Sequence, residues 1–413
     1  MTASRSESWV RRFGDVIPRG SSTMSKAPKY LPDEPGVIVR GRGCRVWDAD
    51  GREFIDFRNA LGPITLGYGF PAVDEAIRAQ LDEGIVFGQP HPLECEVAEM
   101  LCQCIPCAEQ VRFLKTGGEA VAACIRLARH HTGRDHVIQI GYNGWLSGLA
   151  GGGQVLPGRP AAAPAGVPAP LSALHHGCRW NDIERMQAIF DEHDGQVAAV
   201  VIAADYARMA AGETFYPAAR ELTRRKGSVL IFDEIVTGFR VALGGVQEHF
   251  GVTPDMAVFA KGIANGMPLS AFVGRRELMQ GLQQVVVSST YGGEMLSLAA
   301  ARAAIRTYHE QDVIGHLRRQ GRAMVEGASA LFERHGLPIQ LAGLAACPIF
   351  VFDPQGDVDA AAGLPEKFFR ASYRHGLSFY TLPYVTFSHG DADIAEALER
   401  LDDACAQVAA SGP

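Results

Sequence analysis

The chain has 413 residues, 47% of them hydrophobic, which is enough for two or three domains and a sizeable core. A formal charge of −7 provides no basic field for nucleic acid or an anionic membrane, and no apolar run approaches the ~20 residues of a membrane helix. Nine cysteines without framework spacing suit a reducing compartment. Cys102, Cys104 and Cys107 contain one Cys-x-x-Cys but no second pair or histidines at ligand spacing, so no metal site is expected.

Residues 1–20 are polar and mixed in charge and show no signal-peptide pattern, which predicts a cytoplasmic protein with a loosely held amino-terminal tail. From 36 to 57 the pattern alternates as a hairpin, with strands at 44–47 and 53–57 around Asp48-Ala49-Asp50-Gly51. A helix is predicted over 71–81, with Val73, Ile77 and Leu81 on one face. The run Thr116-Gly117-Gly118-Glu119-Ala120 opens a second helix that continues through Arg129. Two glycines at a helix start leave free N–H groups at the positive end of the dipole, and Thr116 adds a hydroxyl; the set suits a phosphate dianion, or else is a plain turn.

Buried strands are predicted at 137–140 and 197–203, and between them 148–171 is aperiodic and rich in Gly, Ala and Pro, as a lid or an unstructured segment would be. After a helix over 216–225, the apolar run 229–232 delivers Asp233 and Glu234 at a strand's carboxyl end, where open α/β sheets bind ligands. A second run, 256–260, pushes the amine of Lys261 out of an apolar segment. One carboxylate and one desolvated lysine on adjacent strand ends are what pyridoxal-phosphate catalysis needs. The aspartate keeps the pyridine nitrogen protonated, and the lysine carries the cofactor as a Schiff base and moves the proton. An ordinary strand-end pair with a surface lysine is the alternative. From 311 on, amphipathic helices alternate with strands at 348–352 and 377–381. The adjacent pairs His130-His131 and His175-His176 cannot share a helix face, and no Gly-x-Ser-x-Gly, P-loop or His-Glu-x-x-His motif is present.

The words Asp233-Glu234-Ile235-Val236-Thr237-Gly238-Phe239-Arg240, Gly251-Val252-Thr253-Pro254-Asp255 and Ala260-Lys261-Gly262-Ile263-Ala264-Asn265-Gly266-Met267-Pro268 resemble those of the class III aminotransferases. Within that class the chain is most similar to the glutamate-1-semialdehyde aminomutase group, from about Ile17 onward. The resemblance implies a fold-type-I α/β enzyme. Residues 71–308 would form a large domain with a mostly parallel central sheet that binds pyridoxal 5'-phosphate, while 1–70 and 309–413 would form a small α+β domain. It implies that Lys261 is the catalytic lysine, that Asp233 grips the ring nitrogen, and that Ile235 packs under the ring and Tyr142 over it, with Trp145 as the rival for Tyr142. Thr116, Gly117 and Gly118 would receive the phosphate. Thr290 would reach it from the other subunit of a homodimer, unless it merely caps a helix. His91 would border the substrate pocket or be a loop histidine without a role, and 150–169 would be a mobile flap.

Several positions depart from the family pattern. Lys115 and Gly118 stand where Asn and Thr are usual, and Lys115 would add charge near the phosphate; Leu61 replaces a pocket aromatic; Ala203-Ala204 replaces Glu-Pro, with Asp205 placed to compensate. These departures favour an aminotransferase of specialised biosynthesis, moving an amino group between an amino donor and a small oxo or aldehyde substrate. Intramolecular transfer of the glutamate-1-semialdehyde 2,1-aminomutase type is the alternative.

Overall fold

The computed structural model describes residues 4–146, 164–353 and 363–411. The chain folds as two units, Met1–Pro71 with Gly315–Pro413, and Ala72–Ile314. In the first unit the expected loose tail is instead a helix, Arg5–Val16. Ser4 and Glu7 close a capping box at its start, and the Asp50 carboxylate accepts from the N–H groups of Arg5 and Ser6. Those caps satisfy amides that a free tail would leave to water. The predicted hairpin follows as β1 (Ile38–Arg42), β2 (Arg45–Asp48) and β3 (Glu53–Asp56), an antiparallel run.

The second unit holds seven strands: β4 (Gln110–Leu114), β5 (His136–Ile140), β6 (His175–Cys178), β7 (Val197–Ala203), β8 (Val229–Asp233), β9 (Met256–Phe259) and β10 (Ser270–Gly274). Their order is β4-β10-β9-β8-β7-β5-β6. The five strands from β6 to β9 are parallel, and β10 is antiparallel to both β9 and β4. Two reversals therefore return β4 to the common direction, so β4, β5, β7, β8 and β9 all present their carboxyl ends on one edge. β7, β8 and β9 are buried along their whole length, as strands covered on both faces must be. The helix Gly117–Thr132 lays Val121, Cys124, Leu127 and Ala128 on Val201, Ile231, Val258 and Phe272. It stops at Gly133, whose φ of 65° suits the left-handed cap that glycine takes without strain. The helix expected at 216–225 is longer than its periodicity suggests, Gly212–Lys226.

The chain then returns to the first unit with β11 (Ile339–Ala342), β12 (Ile349–Phe352) and β13 (Leu377–Ser378). β13 pairs in parallel with β3, Leu377 opposite Ile55, so the two ends of the chain share one sheet. Phe350, Phe368 and Phe379 pack edge-on or stacked in its core with centroids 5.1–6.2 Å apart. Among the described residues no helix is long and apolar enough to cross a membrane.

Candidate active site

Asp233 ends β8 opposite Ala203 on one side and Val258 on the other, so its carboxylate sits in the middle of the sheet's carboxyl edge. Burial pushes its pKa up to about 6, against the Ile235 N–H, which donates to Oδ1 at 3.1 Å, and against Lys261 and Asn143. Three residues past the end of the β8–β9 pairing, Lys261 opens a 3-10 turn with φ at 49°. Few non-glycine residues take that conformation, and it is one that functional sites retain when their surroundings enforce it. Here Tyr308 Oη donates to the Gly262 carbonyl at 2.9 Å and helps to fix the turn. Desolvation pushes the Lys261 amine down to about 8, opposed by the nearby Asp233 carboxylate and reinforced by the buried Arg240.

The neighbouring carboxylate has a different task. Glu234 is fully buried, and its side chain accepts from the Thr237 hydroxyl, from Val246 N at 2.9 Å and from Gln247 N at 3.1 Å. Burial raises its pKa to about 7. Gly245 passes so close that a Cβ there would lie 2.0 Å from Glu234 Oε2, with φ at 76°. Glu234 therefore organises the 237–247 loop behind the strand, and of the Asp-Glu pair only Asp233 remains at the edge.

At the end of β4, Thr116 is the N-cap of the Gly117–Thr132 helix, and its hydroxyl accepts from Glu119 N. Glu119 reaches back to Thr116 N at 2.8 Å and to Lys115 N at 3.3 Å. The N–H groups of Gly117 and Gly118 have no intrahelical acceptor and stand at the positive end of the dipole. Gly117 is where Ile235 packs: a Cβ there would meet Ile235 Cδ1 at 2.2 Å. The glycine helix start and the residue after the Asp-Glu pair are thus in direct contact. Lys115 does not supply the expected free charge, because its ammonium is paired with Glu294 at 2.9 Å.

Tyr142 and Asn143 follow β5 at the same edge. Tyr142 is 62% and Trp145 78% exposed, so both rings are open to a partner. Asn143, by contrast, is 2% exposed, and its amide lies beside Asp233, whose carboxylate it helps to keep charged. A polar chain stands behind it: Gln139 Nε2 donates to Asn143 Oδ1 at 3.4 Å, His175 Nδ1 lies 2.8 Å from Gln139 Oε1, and Arg129 is 3.3 Å from the other ring nitrogen. Sequence reasoning does not find this chain. The polar Gln139 inside an otherwise apolar strand is the signal that could have shown it.

Other expectations resolve locally. Asp205 Oδ1 caps a turn by accepting from Ala207 N at 3.1 Å and Arg208 N at 3.2 Å. His91 caps the helix Pro92–Cys104 through Nδ1. Thr290 lies in an exposed turn and does not cap the helix Met295–Glu310; Glu294 does, accepting from Leu296 N and Ser297 N. Residues 150–163 of the expected flap lie outside the described residues.

A mostly parallel sheet ordered in this way, with a lysine turn and an aspartate on adjacent strand ends, defines a fold-type-I pyridoxal-phosphate-dependent transferase. The chain belongs to the aminotransferase class-III family, whose family model matches residues 30–404. A glutamate-1-semialdehyde 2,1-aminomutase of Geotalea daltonii is 33% identical over 95% of this chain and 97% of its own. One of Acetivibrio thermocellus is 31% identical over 97% of each. Among solved structures, the PLP internal aldimine form of the Sphingopyxis sp. MTA144 FumI protein superposes with a TM-score of 0.89 at 27% identity, covering 97% of this chain and 95% of its own.

Proposed function

We propose that this chain is an aminotransferase that moves an amino group between an amino donor and a small oxo or aldehyde substrate, with Lys261 as its catalytic residue. The observation that carries the reading is the pairing of Asp233 and Lys261 on adjacent strand ends, each buried enough to shift its pKa toward neutrality. The residues present fit pyridoxal 5'-phosphate. Two unpaired N–H groups at a helix start suit its phosphate, the buried Asn143 amide beside Asp233 offers a donor, and the exposed Tyr142 ring offers a stacking face.

When bound, the cofactor supplies an electron sink for charge developing at the substrate carbon that bears nitrogen. Thr116, Gly117 and Gly118 would hold the phosphate, Asp233 would keep a proton at the pyridine nitrogen, and Ile235 and Tyr142 would lie against the ring. The Lys261 amine holds the cofactor and moves the proton at that substrate carbon; its lowered pKa keeps a large neutral fraction available for the task. Thr290 reaches the phosphate of a second copy across a homodimer interface. The exposed Val286 and Tyr291 beside it, 77% and 61% accessible, support an apolar surface that another subunit covers.

A second reading, intramolecular transfer of the aminomutase type, is favoured by the curated relatives and opposed by Leu61 and Ala203-Ala204. One experiment separates the two. The absorbance of the cofactor-loaded protein is followed while amino donors are added without an acceptor. Loss of the cofactor's visible band with release of an oxo product establishes transamination. A band that survives every donor while a substrate is isomerised establishes the mutase. In either case Lys261→Ala should lower turnover by several orders of magnitude, and normal turnover by that variant would remove Lys261 from the site.

A further inference from the structure

The amino ends of the strands hold a second cluster. His136 opens β5, His176 stands second in β6, and His193 is the C-cap of the helix Ile183–Glu192. The register places Ile138 opposite His176, and side chains alternate along a strand, so His136 and His176 share a face. His175 points to the other face, toward Gln139 and Arg129. One ring nitrogen from each of the three histidines lies within 4.8 Å of the others. His136 Nδ1 and His176 Nε2 are 2.8 Å apart, while the His193 ring makes no hydrogen bond to another described residue.

We propose that His136, His176 and His193 form a binding site for a divalent transition metal of the zinc class. At a Zn–N distance of about 2.1 Å a ring centroid lies roughly 3.2 Å from the metal, so imidazole centroids lie about 4.5 Å apart at right angles and about 5.2 Å apart at the tetrahedral angle, and the rings spread by up to about 1 Å to take the metal. The observed separations are 4.2, 4.4 and 5.0 Å. Imidazole nitrogens select zinc, copper, nickel or cobalt over calcium and magnesium, which prefer oxygen. Metal binding displaces the proton shared by His136 Nδ1 and His176 Nε2, and their 2.8 Å separation opens to roughly 3–3.4 Å. Glu192 and Asp135 bring negative charge, while Arg129 and Arg185 oppose it; Glu192 is itself held by Arg185 at 2.6 Å. Three protein ligands leave a position for water. The site lies at the end of β5 opposite Tyr142, so the metal acts as a cross-link between β5, β6 and the helix end and not in the chemistry at the other edge.

The test uses tag-free, full-length, cofactor-loaded protein, stripped with a chelator and titrated with Zn2+ or Co2+. One metal per chain is expected by elemental analysis, with d–d bands of nitrogen-ligated cobalt. Saturating zinc should raise the unfolding temperature by roughly 3–5 °C at a hundredfold excess over Kd. His176→Asn and His193→Asn should each weaken binding by more than about tenfold. The cofactor band and circular dichroism should stay unchanged in both, which separates a lost ligand from a lost fold. The exposed Cys95 and half-buried Cys102 are the competing donors, and Cys95→Ser with Cys102→Ser should leave the stoichiometry intact. Substoichiometric uptake, or binding that survives both histidine variants or follows the cysteines, overturns the site.

Discussion

On the proposed function the Lys261 amine carries most of the chemistry at the scale of single residues, and its environment makes a pH prediction. An unperturbed lysine at pH 7.5 is neutral in about one molecule in a thousand. With its pKa pushed down to about 8, Lys261 is neutral in about a quarter. Only the neutral amine attacks a carbonyl, so uptake of pyridoxal phosphate by the apoprotein should rise with pH and level off above about 8. Stopped-flow absorbance from pH 6 to 9 measures this, and a flat profile would show that deprotonation of Lys261 does not limit uptake. Burial alone would push the amine further down. Asp233 holds it up and is itself held up by burial, so the two groups set one another's charge.

Among the elements, the start of the Gly117–Thr132 helix is the most constrained. The two glycines there look interchangeable in sequence but not in space. A Cβ on Gly117 would lie 2.2 Å from Ile235 Cδ1, whereas one on Gly118 would have Leu146 at 3.8 Å as its nearest neighbour. Gly117→Ala should therefore cost about 1–3 kcal/mol through forced repacking and weaken cofactor retention. Gly118→Ala should stay within about 0.5 kcal/mol. Urea unfolding and cofactor dissociation rates compare the two, and the loss in Gly117→Ala should be partly recovered by Ile235→Ala. Equal effects of the two alanines would mean that the Ile235 contact does not govern this turn. The same helix start shows why the expectation for Lys115 fails: its strand-end position suggests a phosphate neighbour, but Glu294, 179 residues further on, takes the ammonium.

At the scale of the whole molecule, the first unit is built from both ends of the chain, and charge as well as apolar packing joins them. Arg58 donates to the buried Glu34 at 2.5 Å and to Ser25 O at 2.6 Å, and reaches Tyr373 Oη from the far end of the sequence at 3.4 Å. Arg58→Ala leaves Glu34 buried with the N–H groups of Lys29 and Tyr30 and a long contact from Tyr373 Oη but no cation, and should cost about 3 kcal/mol. Adding Glu34→Gln should recover part of that loss in chemical unfolding, and independent, additive losses would mean the two do not act as a pair. The sequence by itself determined the α/β class, the strand ends at Asp233 and before Lys261, and the glycine helix start, because hydrophobic period and glycine placement are local properties. Only the tertiary structure decided that Glu234 serves a loop while Asp233 serves the edge, that Asp205 and His91 are spent on caps, that Gln139 and Asn143 stand behind Asp233, and that three histidines far apart in the chain meet. Each of those outcomes depends on which groups burial brings together, and partners tens to hundreds of residues away leave no period in the sequence.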